Sequence, residues 1–204
     1  MMKIRFYFSF IFSSFLFIPL FSAEKNVSTN EVLLIEPFDI REIVVTDNSI
    51  IISFSSTFNL RENVDFVDEG LALKAFYYIN VYKKGWLFFP DPLIKGEEIV
   101  FHCKKDIINN GYELNFLYDR KWRSKWFYDK EEVIYFISNI SNYRISLEEN
   151  LVADSKYYIE LQMKIVSLEL FAPLGYVYNL VRNWNYTSKK VRTKPFNKNG
   201  ILDE

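Results

Sequence analysis

Leu71-Ala72-Leu73-Lys74-Ala75-Phe76-Tyr77-Tyr78-Ile79-Asn80-Val81-Tyr82 is the stretch on which the fold turns. Leu71, Leu73, Ala75, Tyr77, Ile79 and Val81 recur at every second position, while Lys74, Asn80 and several aromatics take the positions between. A period of two puts successive side chains on opposite faces of an extended chain, so this is a strand with one strongly apolar face. Such a strand needs partners beside it and a second layer over it.

The flanking sequence supplies both. Upstream, Arg41 to Phe58 is rich in β-branched residues and is broken by the turn formers Asp47, Asn48 and Ser49. Leu60 to Glu69 carries Leu60, Val64 and Val67 at helical spacing and ends at Gly70, which predicts a short helix. Downstream, Glu97 to Lys104, Gly111 to Tyr118 and Lys121 to Tyr128 read as three strands of an antiparallel meander, with Asn109-Asn110-Gly111 as a turn. Asp129 is placed to cap a second helix from Lys130 to Ile140, whose Val133, Ile134, Phe136, Ile137 and Ile140 share a broad face. Ser155 to Glu169 alternates loosely as a long strand, and Trp184 to Val191 forms a last one. About seven strands and two short helices predict a mainly β fold: an antiparallel, immunoglobulin-like β-sandwich, with α+β as the alternative.

At the N-terminus, Lys3 and Arg5 precede an uncharged apolar run from Phe6 to Phe21, interrupted by Ser9, Ser13, Ser14 and Pro19. The run is shorter than the roughly 20 residues that cross a bilayer, so residues 1–23 read as a signal peptide. Cleavage is expected near Ser22 or Ala23, but Leu20 or Phe21 would stand two residues before the cut, an imperfect match to the small-residue pattern. An uncleaved N-terminal anchor is the alternative. Both place the domain in the periplasm or cell envelope. Residues 24–31 are polar and read as a flexible tether, 32–196 as one strand-rich domain, and 197–204 as a disordered tail. No repeat or linker divides the domain.

Composition narrows the function classes. Cys103 is the only cysteine, which excludes an internal disulfide and leaves no acyl-accepting cysteine at the cleavage site. The core must therefore hold the fold, and half of all residues are apolar, with 20 Phe and 14 Tyr among them. Without residues 1–23 the chain has 23 Lys and Arg against 26 Asp and Glu, a net charge of −3. No global field draws it to nucleic acid.

Phe54-Ser55-Ser56-Thr57-Phe58 is followed in order by the helix around Leu60 to Glu69 with Gly70 and by the strand Leu71 to Tyr82. Next come Gly85-Trp86-Leu87-Phe88-Phe89-Pro90-Asp91, the strand pair Gly111 to Tyr128, the helix after Asp129, and Trp184-Asn185-Tyr186-Thr187-Ser188. This arrangement resembles the uncharacterised exported bacterial proteins of domain-of-unknown-function family 4390. The resemblance covers most of residues 44 to 192. Leu168 to Val181 departs from the pattern by being more apolar. The resemblance implies an exported domain of unknown activity and carries over no catalytic residue.

Motifs for chemistry are scarce. His102, the only histidine, adjoins Cys103, but neighbours on a strand point to opposite faces and cannot converge on a metal or act as nucleophile and base. No metal or cofactor is expected. Of the pairs Glu97-Glu98, Glu131-Glu132, Glu148-Glu149 and Asp68-Glu69, most fall at helix starts or turns, where acids face water or the helix dipole. Two aromatic clusters remain as candidate partner-binding surfaces. In the first, Trp122, Arg123, Lys125 and Trp126 interleave cations with rings. Strand parity offers a plainer account, with Trp122, Ser124, Trp126 and Tyr128 inward and Lys121, Arg123 and Lys125 in solvent. In the second, Trp86, Phe88 and Phe89 precede Pro90; they could contact a partner or cover the sandwich end. Leu168 to Val181 reads as a buried connection, too interrupted by Pro173 and Gly175 to span a membrane. The favoured function is a non-catalytic interaction module that meets another envelope protein or the membrane surface. A small-ligand binder and an enzyme with a site built from sequence-distant residues are the alternatives.

Overall fold

A computed structural model describes residues 37–57, 61–68, 72–86, 89–166 and 185–201. The signal segment and tether, Phe88, Leu168 to Val181 and residues 202–204 lie outside the described residues.

The expected central strand is present as β3, Leu73–Lys83, and its alternation is as predicted: Leu73, Ala75, Tyr77, Ile79 and Val81 are buried. Ten residues of β3 pair with β8, Tyr157–Val166, on one side, and β4, Leu93–Asp106, pairs on the other. β5, Gly111–Tyr118, and β6, Lys121–Phe127, complete the meander. Their two-residue turn, Asp119-Arg120, has both residues at positive φ, 52° and 59°, the twist that suits a tight hairpin. All pairings are antiparallel.

A second, three-stranded sheet contains β1, Phe38–Val45, β2, Ser49–Ser56, and β7, Asn139–Ser146. Phe38 packs edge-on against Phe54 and Tyr77, and Phe54 lies tilted on Tyr77, with centroids 5.6–6.3 Å apart, so the small sheet covers β3. The rings continue through Phe101, Phe116 and Phe136 at 5.3–6.2 Å. Each such pair contributes about 0.5–1.5 kcal/mol beyond its buried area. The architecture is mainly β and sandwich-like.

Two helices plug the sides. α1, Arg61–Asp68, buries Val64 and Val67. α2, Lys130–Ser138, starts at the expected cap: the Asp129 side chain accepts from Glu131 N, and Glu131 and Glu132 sit in the first turn. The Tyr77 hydroxyl donates to Ile137 O at 3.0 Å, tying β3 to the last turn of α2, and burial holds its pKa well above the usual tyrosine range.

Several expectations need correction. The second helix ends at Ser138 rather than Ile140, because Asn139 is extended and Ile140 pairs with Phe54 in the unforeseen β7. Twelve strands are found among the described residues, against about seven expected. The expected strand from Trp184 to Val191 is two short pieces, β9, Asn185–Thr187, and β10, Val191–Arg192, both on β8. The polar run after Phe196 is not frayed through residue 201: β11, Phe196–Asn197, pairs with β8 and turns into β12, Gly200–Ile201.

Candidate docking surface

The loop joining β3 to β4 presents the exposed aromatics. Trp86 is 82 % and Phe89 74 % exposed, and Leu93 and Ile94 at the start of β4 are also exposed. Of the two alternatives for this cluster, covering the sandwich end therefore fails for Trp86 and Phe89. Phe89 N donates to Trp86 O at 2.8 Å, and the chain on either side is tied down by Lys83 N to Pro92 O and Lys84 N to Lys156 O.

Asp91 is the anchor. Its Oδ1 accepts from Gly85 N at 2.7 Å and its Oδ2 from the Tyr158 hydroxyl at 2.8 Å. The Gly85 amide first, then Tyr158, holds the Asp91 carboxyl below the usual carboxylate range. Gly85 has no room for a side chain: a Cβ there would stand 2.8 Å from Phe89 O. Beneath the loop, Tyr82 stacks on Tyr158 at 5.3 Å, and the Arg192 guanidinium lies 5.0 Å over the other ring. Arg192 and Lys190 both donate to Glu160, which is only 4 % exposed, at 3.1 and 2.8 Å. Burial would raise this carboxyl, yet the two cations keep it below its ordinary value. No local pattern announces this platform, since its members come from three distant segments.

The Trp122 to Trp126 cluster is arranged with the opposite parity from that expected. Register pairs Phe116 with Arg123 and Leu114 with Lys125, so the two cations share the core-side face with buried Leu114 and Phe116. Lys125 Nζ lies 4.7 Å from the Phe127 and Phe136 rings, and Arg123 lies 5.9 Å over Tyr118. Trp122 is on the outer face and 62 % exposed. Trp126, half-buried on that face, packs against Gly111, where a Cβ would come within 2.6 Å of the indole. Tyr128 is exposed rather than inward. The two aromatic clusters lie in different hairpins and do not form one site from shared residues.

Among the described residues, the acid pairs sit on separate elements of the fold. Asp68 is no plain solvated acid: it accepts from Lys105 at 2.9 Å, Tyr112 at 2.5 Å and Lys130 at 3.4 Å, locking α1 to β4, β5 and α2. Glu97 is nearly buried between Lys95 and Arg120 in a cleft of about 430 Å³ that Tyr143 and Glu148 also line. Lys95 bridges to Glu148 at 2.9 Å, so the charges there neutralise one another. Asp68, Asp91, Asp106, Glu113, Glu148 and Glu160 all depart downward from the ordinary carboxylate range. A general acid needs the opposite shift. Cys103 is buried and burial pushes its thiol up to about 12, while the neighbouring His102 points to the other face, opposite Lys74. Among the described residues, no three His, Cys, Asp or Glu side chains are grouped to hold a metal ion, and no helix is long and apolar enough to cross a membrane.

A family profile described as Domain of unknown function (DUF4390) matches residues 37–194. No curated protein and no solved structure matches the chain.

Proposed function

The chain belongs to the family described as Domain of unknown function (DUF4390), and from that premise we propose that it is an exported interaction module that docks a protein partner in the cell envelope through its β3–β4 loop. The supporting observation is the exposure of Trp86 and Phe89 on a loop whose base is tied down by Asp91 through Gly85 N and the Tyr158 hydroxyl. A loop anchored at its base has less freedom to lose on binding, and that lowers the entropic cost of docking. Trp is also the residue most enriched among interface hot spots. The basic and apolar N-terminal run supports delivery to that compartment.

The test is photo-crosslinking in intact envelopes, with a photoreactive residue at position 86 or 89 and a control at Asn109, which is exposed at the opposite end of β4. A discrete protein adduct from the loop sites, absent from the control and competed away by wild-type but not by Trp86→Ala/Phe89→Ala protein, is expected. Adducts with lipid alone would assign the loop to the membrane surface instead, and no adduct at either loop site would end the docking reading.

A further inference from the structure

The Trp122 to Trp126 cluster holds a feature that docking through the β3–β4 loop does not use. Arg123 faces a cleft of about 360 Å³ between the end of α2, the start of β7 and the large sheet. Phe101, Phe116, Phe136 and Ile140 form its walls. Its size lies within the roughly 300–1,000 Å³ of small-molecule sites, and such sites combine apolar walls with a few placed polar groups.

The polar groups of this wall differ in their state. Asn139 is spent: its Oδ1 accepts from Arg41 and its Nδ2 donates to Tyr135 O. Tyr118 donates its hydroxyl to Ser141 O at 3.3 Å. Among the described residues neither Arg123 nor Lys125 is in an ion pair, and both are placed over aromatic rings. A guanidinium offers five donors in a planar fork that matches a carboxylate, and a ring face leaves that fork unused. Among the described residues, the one charged group that lines this largely apolar cleft is a cation, which is complementary to an apolar molecule ending in an anion.

We propose that this cleft binds an apolar carboxylic acid, its hydrocarbon body against Phe101, Phe116 and Phe136 and its carboxylate on Arg123. Lys125 adds positive potential from the same strand face. The proposal is independent of the β3–β4 loop. A competing account exists, because cations on the inner face of an edge strand also prevent strand-to-strand aggregation. That account requires charge at the edge but predicts no ligand.

Calorimetric titration of the full chain with octanoate, and with octan-1-ol as the uncharged control, separates the two. Saturable octanoate binding is expected, with octan-1-ol weaker, Arg123→Gln about 10-fold to 100-fold weaker, and Arg123→Lys between them. Arg123 is exposed, so both variants are expected to keep the wild-type melting temperature. The proposal is overturned if octanoate shows no saturable binding at millimolar concentration, if octan-1-ol binds equally well, or if Arg123→Gln binds as the wild type does.

Discussion

The Tyr158 hydroxyl donates to Asp91 Oδ2 at 2.8 Å, and through that bond β8, the neighbour of the central strand, holds the exposed aromatic loop. The same carboxylate accepts from Gly85 N. One ionised group thus joins the rigid sheet to both ends of the turn that carries Trp86 and Phe89.

Protection of the Gly85 amide should therefore depend on Asp91 and on pH. Asp91 is held below the ordinary carboxylate value near 3.9. A lowered folded-state pKa means that the stabilising charge is fully present above the unfolded value and is lost as pH falls through the folded one. Hydrogen exchange should show Gly85 protected at neutral pH, the protection fading only below about pH 4, and absent at every pH in Asp91→Ala. Core amides of β3 should be unaffected. Equal protection in wild type and variant would show that the loop does not need Asp91.

Glu160 makes a second pH-sensitive contact. It is buried, and both its partners, Lys190 and Arg192, are more than half exposed. Removing the two cations together leaves a buried carboxylate without ionic support. Lys190→Ala/Arg192→Ala should lower the urea midpoint at pH 7, modestly because water reaches the partners. The Glu160 pKa is lowered in the folded protein, so the difference from wild type should shrink as pH falls below about 4.3. Urea unfolding at pH 7 and pH 3.5 checks both statements; a pH-independent difference would assign the loss to packing.

Cys103 provides a probe of global opening. It is fully buried opposite Leu73, and desolvation pushes its thiol up to about 12. A neutral thiol in a closed core does not react. Iodoacetamide at pH 8 should leave native protein unlabelled over hours and modify it fully in denaturing urea. Rapid native labelling would mean that β3 and β4 separate locally.

Legibility followed the range of the interactions involved. The parity of β3 and of Cys103 against His102 was readable because it is a local property of alternating side chains. The inversion in β6 was not readable from that strand alone, since Trp122 and Trp126 look like the inward residues. It follows only when the Asp119-Arg120 turn sets Leu114 opposite Lys125. β7 was hidden because Asn142 adopts φ 53° and breaks the alternation, with its amide donating to Ser53 Oγ at 3.0 Å in the neighbouring strand. The exposed loop was visible as a cluster of aromatics, but its anchor on Tyr158, 67 residues away, had no local signature.

Gly111 and Trp126 should be coupled in stability. An added Cβ at Gly111 would meet the indole at 2.6–2.7 Å, closer than real contacts allow, and Trp126 must move to admit it. Gly111→Ala should therefore destabilise by about 1–3 kcal/mol, as overpacking does. With Trp126→Ala present the clash is gone, so alanine at 111 should cost less in that background, and the coupling should exceed about 0.5 kcal/mol. Urea unfolding of the two single variants and the double variant measures it. Additive effects would show that the indole swings clear at no cost. Trp126 would then be an exposed ring resting on the strand, and it would return to the set of residues available to a partner.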